Sequence, residues 1–139
     1  MPHWFDRLKR EERGSQLIEF IFTFPLVWVL LVFAFDQFTI LYNRQKALAA
    51  AFEAGRIAAV QPTYGLARYH GKERGEKELE QAIAATDGEV RIFVKGGKWK
   101  KGNHLQTEAT VSFRLLASRQ PMEVTETYHM MIENAEDIE

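Results

Sequence analysis

The sequence predicts an α+β fold in which a long N-terminal helix packs on a small antiparallel sheet of about three strands, with one further short helix. Three observations lead there. An apolar run near the N-terminus continues into strong helix formers that last to about residue 60. Alternation of apolar and polar residues takes over from about residue 89. Between the two lies a charged segment with a short apolar face at helical spacing.

With 139 residues the chain has room for one compact domain. The balance of 18 Lys+Arg against 19 Asp+Glu gives no global attraction to nucleic acid, and none is expected as a partner. Cysteine is absent, which removes disulfides, thiolate metal sites and cysteine nucleophiles together.

The apolar run is Leu17 to Phe35, LIEFIFTFPLVWVLLVFAF, and its only charge is Glu19. As a helix, residues 15–35 reach about 31 Å, roughly one hydrocarbon core. Phe20, Trp28 and Phe35 belong to an apolar surface that continues all the way round, with no polar stripe for water. A chain this short could hardly surround such a helix as a soluble core. Pro25 is compatible with a membrane helix, which tolerates proline by bending.

Arg7, Lys9, Arg10 and Arg13 precede the run, partly offset by Asp6, Glu11 and Glu12. Only Arg44 and Lys46 follow it closely, with Asp36 at its exit. The positive-inside rule puts the N-terminus in the cytoplasm and everything after about residue 36 across the membrane. The chain then divides into a basic leader (1–14), a transmembrane helix (15–36) and an exported α+β domain (37–139). Two rival readings use the same residues. One is a secretory signal cut near Ala34, which releases a soluble domain, although Phe33 and Phe35 flank that site poorly. The other is a plain single-pass anchor for a partner-binding domain of the cell envelope.

Residues 36–60 contain no proline, and Leu41, Leu48, Ala51, Gly55 and Ala59 form one apolar face with small residues on it. A helix from Ser15 to Val60 projects about half its length beyond the membrane. Small residues permit close approach, to the chain's own domain or to another subunit. Gln61-Pro62-Thr63-Tyr64-Gly65 reads as the break. The second helix is expected within about residues 73–86, with Leu79, Ala82 and Ile83 as its apolar face. Gly71 and Gly75 blur its start, and Asp87-Gly88 ends it.

In the strand region Val90, Ile92 and Val94 face one way. Leu105, Thr107, Ala109, Val111, Phe113 and Leu115 form the cleanest alternating set, and Val124, Tyr128, Met130 and Ile132 continue the pattern after a turn at Gln120-Pro121. Between the first two strands, Lys95–His104 carries four lysines around Trp99, with three glycines that make it a mobile hairpin tip kept soluble by lysine or, alternatively, a binder of nucleic acid or an anionic surface. From Glu123 onward every charged residue is acidic. That tail reads as solvated and frayed.

Glu19 admits two readings. It rests at the headgroup boundary, where a charge costs less than the about 2.5–3.5 kcal/mol of the bilayer centre. Alternatively, a cut between Gly14 and Ser15 creates a positive α-amine at Ser15, and Glu19 partners it within one helix or from a neighbouring subunit. The run Gly14–Phe20, G-S-Q-L-I-E-F, resembles a prepilin-peptidase site, with glycine before the cut, glutamate fifth and an aromatic sixth in the mature chain. Arg13, Pro25, Asp36, Tyr42, Arg44-Gln45, Leu48, Ala51, Glu53 and Arg56 extend the likeness to about residues 13–60. Their order and spacing resemble the TadE-like pseudopilins of the tight-adherence (Flp-type) pilus system. Phe20 stands where Flp pilins typically have tyrosine.

The resemblance implies a minor pseudopilin with a pilin-like outline, processed after Gly14, with Ser15 as the new N-terminus and Glu19 as the assembly carboxylate. It also implies a location in the bacterial inner membrane or in a pilus. The implied partners are other pilin or pseudopilin subunits, the inner-membrane pilus assembly platform, the prepilin peptidase and membrane lipid. His3, His70, His104 and His129 lack metal-ligand spacing, and no phosphate loop or nucleophile elbow is present. No enzyme activity, cofactor or metal is therefore expected.

Overall fold

The computed structural model describes the backbone of residues 4–136 and the side chains of residues 14–136. The side chains of the leader, His3, and the acidic Asp137 and Glu139 lie outside the described residues. Two helices, α1 (Trp4–Ala59) and α2 (Tyr64–Leu79), precede three strands, β1 (Ala85–Val94), β2 (His104–Arg114) and β3 (Pro121–Met131). The strands form one antiparallel meander in the order β1-β2-β3. This is the expected α+β class.

Both helices cover one face of the sheet, α1 over β2 and β3, and α2 over β1. The inward set on β2 is the one that alternation predicts: Leu105, Thr107, Ala109, Val111, Phe113 and Leu115 are all buried. The outer face is polar, with Thr110 paired to Thr125 across β2 and β3. One face dry and one wet is the usual condition of an antiparallel sheet.

Helix α1 is longer than expected, starting at Trp4 rather than Ser15, and it passes through Pro25 without interruption. The leader between Trp4 and Gly14 is rich in Glu, Lys, Arg and Leu, all good helix formers. Its core-facing stripe keeps Ala51, Gly55 and Ala59 of the expected face but not the two leucines. Leu41 and Leu48 are exposed, whereas Ala47, Ala50, Ala51, Ala54, Ala58 and Ala59 are buried, preceded by Asp36, Thr39 and Asn43. Alanine wins the inner face because the sheet and α2 approach closely there, and larger side chains are displaced outward.

Helix α2 spans Tyr64–Leu79, not 73–86, and its N-cap is Thr63, whose hydroxyl accepts from Leu66 N–H. Its buried residues are Ala67, Gly71, Gly75 and Leu79, four apart. A Cβ at Gly71 would lie 2.4 Å from Ile92 Cδ1 and 2.9 Å from the Ala54 carbonyl oxygen. Glycine in mid-helix weakens helix propensity, so these two positions read as breaks when they are contact points. Ala82 and Ile83 fall beyond the helix. Asp87 and Gly88 lie in β1 after a bulge between Ala85 and Asp87, not in a turn.

The Lys95–His104 loop is tied down rather than loose. Trp99 Nε1 donates to the Gln61 carbonyl at 3.0 Å and its ring lies against Tyr64. Gly96, Gly97 and Gly102 all have positive φ, which is why glycine stands there. The chain after β3 is docked too: Ile132 is fully buried, and the N–H groups of Glu133 and Asn134 both donate to Ala59 C=O. The tail thus serves carbonyls that the end of α1 leaves unpaired.

Candidate functional site

The candidate site is α1 itself, which carries every residue singled out at the N-terminus. Gly14, Ser15 and Glu19 are exposed on the continuous helix, and Ser15 and Glu19 share a face one turn apart. A Cβ at Gly14 would meet nothing within 4 Å. The fold therefore makes no demand for glycine at that position.

Beyond Glu19 the helix is apolar on all sides and uncovered. Phe20 (63% exposed), Trp28 (60%) and Phe35 (55%) project outward, and the most apolar stretch of the helix has no buried residue. The Phe20 and Phe24 rings stack along it at 5.7 Å. In water this surface would cost far more than a small domain can offset, since each exposed large side chain forgoes about 1.5–3 kcal/mol of burial. A bilayer removes that cost and satisfies the length requirement. Among the described residues, one helix is long and apolar enough to anchor the chain in a membrane.

The outward stripe does not stop where the polar residues begin. Phe38, Leu41, Leu48 and Phe52 remain exposed above the apolar run, at spacings of three, four and seven. With Gln45 between them they form a seam of the a/d kind. The opposite face holds the buried polar residues of α1. Asp36 accepts from the backbone of Ala117 and Ser118, Thr39 donates back to Phe35 C=O, and Asn43 bonds both the N–H and the C=O of Ile83. These contacts escaped the sequence reading. The signal available was a polar series at 36, 39 and 43 on a helix face that continues as alanine.

Charged residues elsewhere organise the helix pair. Arg44 reaches Glu126 on β3, Lys46 reaches Glu78 on α2, and Glu53 receives both Arg56 and Arg74. Arg91 donates to Glu89 and holds its carboxyl below the ordinary range, in an exposed pair worth little to stability.

Residues 14–56 match the family model described as TadE-like protein. No curated protein and no solved structure matches the chain. The matched segment contains Gly14, Ser15, Glu19, the apolar span and α1 up to the Glu53–Arg56 pair.

Proposed function

We propose that this chain, TadE-like over residues 14–56, acts as a minor pseudopilin in assembly of tight-adherence pili, after a prepilin peptidase cuts between Gly14 and Ser15. The observation that carries this reading is the uninterrupted α1, with an apolar seam that runs from the span as far as Phe52 while the opposite face holds the domain. Such a helix presents one surface to lipid before assembly and to neighbouring helices afterwards. Glu19 is then the carboxylate that pairs with a Ser15 α-amine, its own or that of another subunit. The N-terminus lies in the cytoplasm, and residues 37–139 are exported. The chain's partners are other pilin subunits and the inner-membrane assembly platform.

Because a Cβ at Gly14 meets nothing, a Gly14→Val chain keeps its fold, and loss of processing in it reports on the peptidase. The test is the intact mass of the mature protein from its native host, for the native chain and for Gly14→Val and Glu19→Ala. The native mass should correspond to a chain beginning at Ser15, Gly14→Val should stay full length, and Glu19→Ala should be cut yet fail in piliation. A native chain found at full length would leave only a plain membrane anchor. Normal pili from the Glu19→Ala strain would remove Glu19 from the assembly step.

A further inference from the structure

Asp36 directly follows Phe35, the last residue of the apolar run, and it holds a turn that is remote in sequence. Its Oδ1 accepts from Ala117 N–H at 3.0 Å and from Ser118 N–H at 3.3 Å. The β2–β3 turn is thereby fixed at the level where α1 leaves the apolar run. The exposed surface of that turn combines apolar and basic side chains. Leu116 (38%) and Met122 (37%) are exposed there beside Arg114 and Arg119, which make no ion pair among the described residues. No acidic residue occurs between Glu108 and Glu123. Apolar tips flanked by arginine suit the boundary between acyl chains and phosphates.

The lysine loop is excluded from the same role by position. Trp99 is tied to Gln61, just beyond the end of α1, and the helix rises about 35 Å from Asp36 to its last residue, Ala59. Only the β2–β3 end of the domain stands beside the membrane its own helix crosses.

We propose that residues 114–122 form a membrane-surface element. Leu116 and Met122 enter the interfacial layer of the leaflet that α1 exits, and Arg114 and Arg119 meet the phosphates of anionic phospholipids. The proposal rests on residues 15–35 spanning the bilayer. It sets the tilt of the domain before assembly, because Asp36 and the turn give two points of attachment. It also explains how the Asp36 carboxylate sits at the bilayer edge, since two backbone N–H groups replace water around it.

The chain has no cysteine, so single introduced cysteines give unique labels. An environment-sensitive fluorophore is placed at Leu116→Cys, Lys98→Cys or Val29→Cys in the full chain, one copy per phospholipid nanodisc. Discs contain phosphatidylcholine alone or with phosphatidylglycerol, and lipid-borne quenchers report depth. The expected result is a blue-shifted, lipid-quenched signal at 116 that strengthens with phosphatidylglycerol, a water-like signal at 98 and a deep signal at 29. Each arginine near an anionic leaflet is worth about fivefold in local partition. Arg114→Gln with Arg119→Gln should therefore abolish the phosphatidylglycerol effect. A deep label at 29 with a water-like label at 116 overturns the proposal alone, whereas a water-like label at 29 overturns the spanning reading. Shielding of 116 that appears only with several copies per disc assigns the turn to a neighbouring subunit and also overturns it.

Discussion

Asn43 is fully buried on α1, and its amide grips one backbone residue from both sides: Nδ2 donates to Ile83 C=O at 2.9 Å and Ile83 N–H donates to Oδ1 at 2.8 Å. An aspartate there would keep the second bond but set a carboxylate against the Ile83 carbonyl. Asn43→Asp should therefore cost about 1–3 kcal/mol near pH 7. Its folded pKa is raised above the unfolded value of about 3.9, so stability relative to the native chain should fall as pH rises through that range and recover near pH 4. Thermal melts of both chains from pH 4 to 7 check the sign. Two glycines of α2 make the contrasting case. Gly71→Ala should destabilise by about 1–3 kcal/mol, because its new methyl meets Ile92 and the Ala54 carbonyl oxygen. Gly65→Ala, with nothing within 4 Å, should stabilise by about 0.5–1 kcal/mol. Equal melting temperatures for the two variants would contradict the close crossing of α1 and α2.

At the scale of elements, the end of α1 depends on a segment from the far end of the chain. Glu133 and Asn134 N–H groups reach Ala59 C=O, Asn134 Nδ2 reaches Val60 C=O, and Glu136 N–H reaches Pro62 C=O. Ile132 seats that segment against Ala58, Ala59, Ala67, Ile92 and Leu105. Ile132→Ala should cost about 2–5 kcal/mol and speed hydrogen exchange at the α1–α2 junction, measured by mass spectrometry. A change confined to the last residues would mean that the tail is only loosely seated. A side chain from the start of α2 reaches β1 as well, where Tyr64 OH donates to Ile92 C=O.

At the scale of the molecule, every buried residue among the described residues lies at or after Asp36. The chain without residues 1–35 should consequently fold in water and melt cooperatively, as judged by circular dichroism. Phe38, Leu41, Leu48 and Phe52 stay exposed in that fragment, so it should self-associate with concentration in sedimentation velocity. Leu41→Lys with Leu48→Lys should lower the association and leave the melting temperature within a few degrees. An unfolded fragment would mean that the apolar half of α1 supports the domain after all.

The class of fold, the three strands, the inward set of β2 and the anchor helix were legible because each is written in a local period or a run of apolar residues. The same holds for the N-terminal segment from Gly14, which the family match covers. The bounds of the second helix, the exposure of Leu41 and Leu48 on α1, the pinned tryptophan loop and the docked tail were not legible. Gly71 and Gly75 look like helix breakers until the partner helix is present, and Leu41 looks like core until alanine is seen to allow a closer approach. Asp36 and Asn43 bond segments far away in sequence. The order of residues along the chain thus determined which elements exist and which of them is apolar and long enough to cross a membrane. Close packing between elements, which no local pattern records, decided which faces are buried and which end of the domain lies beside the exit of the apolar run.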